Sequence, residues 1–293
     1  MKFDLKSKRT LFSFTLILVG LGLAVIPAEA ATYQEISVPG STSTSANGIN
    51  NVGQIVGYYE LPSTQIVGFL LSGGTFTNIS FAGEPNTFAT AINDSGLIAG
   101  YVQTQDIGSP YFGFTYQNGF KSMIKFPTAK STQALSINNA GQVVGTYVDL
   151  KNVSHGFQFS AGTYKSIDIA NAKSTIASGI NKAGDISGTY VDQSSDEHGF
   201  ILHKNGTLTV INFGGANNGT VVGGINNNDQ VAGYFTPPAA DRSTGFEWSN
   251  GTFTNIVYPT AVSTQAYAIN NAQVVVGAWL TEQGNTEGFM ETP

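Results

Sequence analysis

Past residue 30 the chain alternates short runs of β-branched and aromatic residues with polar turns rich in Asn and Gly. It nowhere keeps apolar residues at helical spacing. The alternation is itself periodic. An Ile-Asn pair recurs at Ile49-Asn50, Ile92-Asn93, Ile137-Asn138, Ile180-Asn181, Ile225-Asn226 and Ile269-Asn270, with successive spacings of 43, 45, 43, 45 and 44 residues. Eight residues after each Ile stands a glycine (Gly57, Gly100, Gly145, Gly188, Gly233, Gly277). Eleven to thirteen residues further on comes Gly-Phe, with the phenylalanines at Phe69, Phe114, Phe157, Phe200, Phe246 and Phe289. A register kept in every copy marks a repeat architecture.

Each repeat reads as four short strands, A to D. In the third, strand A is predicted over 134–138, a tight turn over 139–141 and strand B over 142–148. A polar loop then leads to strand C over 156–160 and strand D over 164–169. Glycine at the end of the A–B turn suits a positive φ. Asp229 replaces it in the fifth repeat, a residue that tolerates the left-handed region; Gln273 replaces it in the sixth, where a looser turn is expected.

Four strands in a repeat of about 44 residues predict a β-propeller rather than a β-solenoid, whose repeats are shorter. The phase of the first strand separates the two. The sixth repeat has no strand D of its own, and residues 33–39 match 253–259, strand D of the fifth. Ile36 precedes Ile49 by 13 residues, as Ile79, Ile124, Ile167 and Ile256 precede the next repeat's Ile. The expected fold is all-β: a six-bladed β-propeller with four antiparallel strands per blade, its last blade closed by the N-terminal strand. That closure removes two free sheet edges.

The repeats resemble those of the extracellular HAF-repeat family, named for a His-Ala-Phe motif that follows an Ala-x-Gly-Ile-Asn-x-x-Gly-Gln-Val-Val-Gly run. His155-Gly156-Phe157 and His198-Gly199-Phe200 come closest, with Gly for Ala; the other repeats hold Val67, Phe112, Thr244 and Glu287 at the His position. The similarity spans residues 33–290. It implies secretion and a propeller-like fold, and brings no substrate and no catalytic residues with it.

The first thirty residues read differently from the rest. Lys2, Lys6, Lys8 and Arg9 precede a largely apolar run from 11 to 26, then Pro27 and Ala28-Glu29-Ala30. This is the pattern of a secretory signal peptide cleaved after Ala30, the apolar run being shorter than the roughly twenty residues of a spanning helix. The expected organisation is a signal peptide over 1–30 and one propeller domain over 31–293, secreted to the periplasm or the medium. Beyond residue 30 the chain keeps 9 Lys+Arg against 17 Asp+Glu, a net charge of −8. Such a surface offers no cationic footprint for nucleic acid, nor for anionic membrane once the signal is removed. With no cysteine, stability must come from the core.

Charge and variation concentrate in the B–C loops and D–A crossovers, which a propeller places on one face, and a binding site is expected there. Its candidate residues are Asp149, His155, Asp192, Asp196, Glu197, His198, Asp241 and Arg242. The carboxylates of Asp192, Asp196 and Glu197 offer oxygen ligands for Ca²⁺, although their spacing matches no EF-hand loop and a solvated turn explains them more simply. His155 and His198 occupy one template position in adjacent blades, where they line a shared groove or each anchor their own loop; His203 falls out of phase. The Ser-Thr clusters at Ser41–Ser45, Ser131-Thr132, Ser174-Thr175 and Ser263-Thr264 offer hydroxyls to a sugar or stiffen their own turns. The six template asparagines read as structural. Glu84, in the first D–A crossover, is the nearest to an axial acid and has no evident partner. No Gly-x-Ser-x-Gly, His-Glu-x-x-His or P-loop motif follows residue 30. The expected function is a secreted, non-catalytic binding or scaffold protein for an extracellular glycan or protein. The alternative is a propeller hydrolase or lyase acting on extracellular polysaccharide.

Overall fold

Asparagine-led turns set the strand boundaries. In each A–B turn the asparagine Oδ1 accepts amides further along the chain, as Asn138 does from Ala140 (3.0 Å) and Gln142 (3.1 Å), which reverses the backbone. The computed structural model describes residues 31–103, 110–214, 219–237 and 242–293. They form six four-stranded antiparallel sheets around one axis, a six-bladed β-propeller. Blade 1 is Ser43–Ile49, Ile55–Glu60, Ile66–Ser72 and Thr75–Ile79. Blades 2 to 5 repeat that order, and strand A of each lies innermost against its neighbours' A strands.

Blade 6 takes strands A to C from Ser263–Ile269, Val275–Leu280 and Thr286–Thr292, and its fourth strand from Thr32–Ile36. The register runs from Thr32 opposite Thr292 to Ile36 opposite Gly288. The ring is thus closed within a sheet, as the phase of Ile36 requires.

Two local expectations need correction. Strand A begins earlier than the sequence pattern suggests, at Ser131 rather than 134 in blade 3. The cause is a buried threonine at its start, second in the strand in five blades (Thr44, Thr87, Thr132, Thr175, Thr264) and first in blade 5 (Thr220). In five of the six copies its hydroxyl accepts the amide of the preceding crossover, at 3.0–3.1 Å, as Phe126 donates to Thr132. The Ser-Thr clusters are therefore largely strand, with the threonine hydroxyl already in use. Nor is the sixth A–B turn looser. Gln273 adopts φ 61°, and Asn270 Oδ1 accepts from Ala272 and Val274 at 3.0 Å, as in the other turns.

The core sits in the seams between blades. Each cluster joins two neighbours: Ile36 and Val276 of blade 6 pack with Ala46, Ile49, Ile55 and Phe69 of blade 1, and the pattern repeats around the ring. All six template phenylalanines are 0% exposed. The strand B glycine explains how they fit. A Cβ on Gly57 would lie 1.9 Å from the Ser45 carbonyl and 2.8 Å from the Phe69 ring. Only a residue without a side chain lets the ring lie across strand B. Burying a ring of this size stabilises by roughly 1.5–3 kcal/mol.

Candidate functional site

The six template asparagines close a circle of hydrogen bonds around the axis. Asn50 Nδ2 donates to the Asn93 carbonyl (3.0 Å), Asn93 to Asn138 (3.1 Å) and Asn138 to Asn181 (3.0 Å). Asn181 continues to Asn226 (3.4 Å), Asn226 to Asn270 (3.1 Å), and Asn270 returns to Asn50 (3.2 Å). All six residues are buried. Their role is structural, and it goes further than the sequence suggests, because the amide nitrogen locks each blade to the next. One residue outward, a second series links backbone amide to side-chain oxygen from Asn51 to Asp94 to Asn139, and from Lys182 through Asn227 and Asn271 back to Asn51, each at 2.9 Å. It breaks at Lys182, whose side chain has no acceptor to offer the Asn139 amide.

On the opposite face, four of the eight residues expected to bind are committed to their own blades. Asp149 Oδ1 accepts the amides of Lys151 (2.8 Å) and Val153 (2.9 Å); Asp192 Oδ1 accepts those of Ser194 (2.8 Å) and Asp196 (3.0 Å). The Val153 amide chiefly holds the Asp149 carboxyl below its usual range, and the Asp196 amide, followed by His198, does the same for Asp192. His198 is buried, with Nε2 3.1 Å from Asp192 Oδ2 and Nδ1 2.9 Å from Asn212 Oδ1. His155 stacks on Tyr147 and places Nδ1 2.6 Å from Asp168 Oδ1. Each histidine is held by its own blade, in the loop-anchor arrangement. Asp196, Glu197 and Arg242 have no side-chain partner among the described residues; Asp241 lies outside them. The carboxylates of Asp192, Asp196 and Glu197 do not converge on a common point. Glu84 does have a partner, Lys121 of the next blade, at 3.0 Å.

Two cavities open on the A–B/C–D face. One is an axial funnel of about 100 Å³, lined by Thr90, Ser136, Ser178 and Tyr267 and rimmed by Asp94 and Lys182. No strand A carries Asp or Glu. Tyr267 is nearly enclosed: burial, then the neighbouring Tyr58 and Tyr234, holds its phenol well above the ordinary range. The other is a cleft of about 220 Å³ between blades 3 and 4, lined by Gln142, Gln158, Lys165, His203 and Lys204 among others. Neither lysine ammonium in this cleft has a partner among the described residues.

The structure also assembles a group that reading along the chain misses. Asp185, His203 and Asp229 bring one ligating atom each to within 4.8 Å of one another at the seam of blades 4 and 5. Burial, then the adjacent Asp185, raises the Asp229 carboxyl above its usual range. The signal lay in the repeat, since all three positions hold neutral residues in the other five copies.

No family model matches the chain, and no curated protein does. Its likeness is to solved propellers. TolB from Acinetobacter baumannii superposes with a TM-score of 0.58 at 14% identity, over 82% of this chain and 64% of that one. The lectin of Aleuria aurantia in complex with Fucα1-6GlcNAc does so with a TM-score of 0.54 at 12% identity, over 85% and 91%. A streptogramin B lyase does so with a TM-score of 0.53 at 10% identity, over 88% and 97%. Likeness at this level shows the fold alone.

Proposed function

We propose that this protein is a secreted, non-catalytic binding protein that holds an acidic extracellular glycan in the cleft between blades 3 and 4. One observation carries the reading. In a ring where most template polar groups are bonded internally, this cleft keeps two ammonium groups, Lys165 and Lys204, with no partner among the described residues, beside the Gln158 amide. Ammonium and amide donors around a polar concavity suit the carboxylates and hydroxyls of a uronic-acid-bearing saccharide. Propellers of this fold serve both uses weighed from the sequence, since the structural neighbours include a lectin and a lyase. The absence of any carboxylate from the six A strands favours binding over glycoside hydrolysis at the axis, which uses a carboxylate pair.

The test is a glycan array probed with residues 31–293 and with a Lys165→Ala/Lys204→Ala variant. Hits on acidic glycans that the double variant loses, and that weaken as salt rises, are the expected result. Hits that survive it would overturn the cleft assignment, and breakdown of a bound glycan would restore the hydrolase or lyase reading. A second reading puts a protein partner on the B–C/D–A face, where the charges of Asp196, Glu197 and Arg242 have no partner among the described residues. Hits lost on Asp196→Ala/Glu197→Ala but kept by the lysine variant would favour it.

A further inference from the structure

We infer that Asp185, His203 and Asp229 form a divalent transition-metal site, best suited to Zn²⁺, that ties blade 4 to blade 5. The inference does not depend on the glycan reading. It starts from an internal control, because the same three positions occur six times in one chain. Where blade 4 has Asp185, the other blades have Gln54, Leu97, Gln142, Gln230 and Val274. Where it has His203, they have Ser72, Gln117, Ser160, Ser249 and Thr292. Where blade 5 has Asp229, they have Gly53, Gly96, Gly141, Gly184 and Gln273. Each position turns into a metal-ligating residue once, and all three do so at the same seam. Asp229 does so at φ 57°, a conformation for which four of the other blades use glycine.

The surroundings prepare these atoms for an ion. Asp185 Oδ1 accepts the Lys204 amide (2.7 Å), and Asn181 Nδ2 reaches both Asp185 Oδ2 (3.3 Å) and Asp229 Oδ1 (2.9 Å). Each carboxylate keeps further lone pairs. His203 Nε2 lies 3.1 Å from Thr209 Oγ1, while Nδ1 stands 3.6 Å from Asp185 Oδ1, beyond hydrogen-bond distance. With Nε2–H donating to Thr209, Nδ1 turns its lone pair toward the carboxylates. A ligating histidine needs that tautomer, and an outer hydrogen bond of this kind usually fixes it. Among the described residues no lysine or arginine pairs with either aspartate.

One imidazole and two carboxylates suit Zn²⁺, and three protein ligands leave a coordination position for water. Ca²⁺ takes six to eight oxygens and would find a poor set here. Because the ligands come from two blades, the ion would act as a clasp across the seam and would stabilise the folded ring by an amount that grows with the logarithm of its concentration.

The experiment uses residues 31–293 stripped with a chelator and titrated with ZnCl₂ by calorimetry, with thermal melting followed in parallel. The expected result is one Zn²⁺ per chain and a Tm that rises with Zn²⁺ but not with Ca²⁺. Asp185→Gln, His203→Ser and Asp229→Gly each install a residue the template already uses, so the variants should fold. Each should weaken Zn²⁺ binding by at least about 10–100-fold and abolish the Tm rise. Absence of Zn²⁺ binding overturns the site. So does binding that survives all three substitutions, or an equal response to Ca²⁺.

Discussion

The two faces of the ring use the same turn chemistry for different ends. On the A–B/C–D face, an asparagine oxygen caps its own turn while its amide nitrogen reaches the neighbouring blade, as Asn138 bonds both Gln142 and the Asn181 carbonyl. On the B–C/D–A face, an aspartate oxygen caps its loop in the same way, as Asp149 does for Lys151 and Val153, and links no blade to the next. Asparagine carries a donor and an acceptor; an aspartate carboxylate only accepts. One face is therefore tied around the axis by its turn residues; on the other, blades meet only at particular strand ends, as the Ile66 amide meets Asn86 and the Tyr111 amide meets Ser131, and the loop-capping aspartates take no part. The first resists variation and the second permits it.

The largest test strikes both faces together. Deleting residues 31–40 removes the strand that closes blade 6 and exposes two sheet edges. The truncated protein is expected to lose its cooperative melting transition; an unchanged Tm would show that the ring does not need its closure. Next in size is Phe157→Ala, in the seam beneath both faces, expected to destabilise by roughly 3–5 kcal/mol in denaturant melts. The direct contrast pairs Asn138→Ala with Asp149→Ala. The first leaves a buried carbonyl and turn amides unsatisfied and should cost about 2–3 kcal/mol, whereas the second removes the cap of a single half-buried loop and should cost clearly less. Equal losses would erase the distinction between the faces.

The smallest effect is one of pH. Burial, and then the charge of Glu247 in the neighbouring blade, pushes the Glu291 carboxyl up to about 7. A carboxyl whose folded pKa is raised favours the fold while protonated. Its contribution is complete below the unfolded value of about 4.5 and is lost as pH rises through about 7. Melting curves across that window should show stability falling, and Glu291→Gln should flatten the fall. An unchanged slope in the variant would assign the pH dependence to other groups.

Much of the fold was legible because a propeller writes each constraint six times. Glycine beneath a phenylalanine, asparagine at a turn and a fixed interval between them are local rules that survive in the sequence. The closure was legible because Ile36 keeps the phase of Ile79. What could not be read was how polar side chains are used. Asp149 and Asp192 looked free because nothing in the sequence says that a carboxylate has turned back onto its own loop. Asp185, His203 and Asp229 looked ordinary because the seam that joins them brings together two repeats. Asp229 was legible only as a tolerated replacement for a turn glycine, and His203 only as an out-of-phase histidine. Departures from the template would have singled them out.

The closing strand also sets how the molecule meets a mechanical load. Thr32, where the first strand begins, lies opposite Thr292, near the end of the last. Tension applied through the two chain ends would therefore act across the strand pair rather than along it, and would load its rungs in succession. Such a sheet peels at low force instead of shearing at high force. A propeller anchored by both ends would open at blade 6 first, while one held through any other blade would resist with the whole ring. An attachment point, genetic or natural, thus chooses between a latch and a solid body.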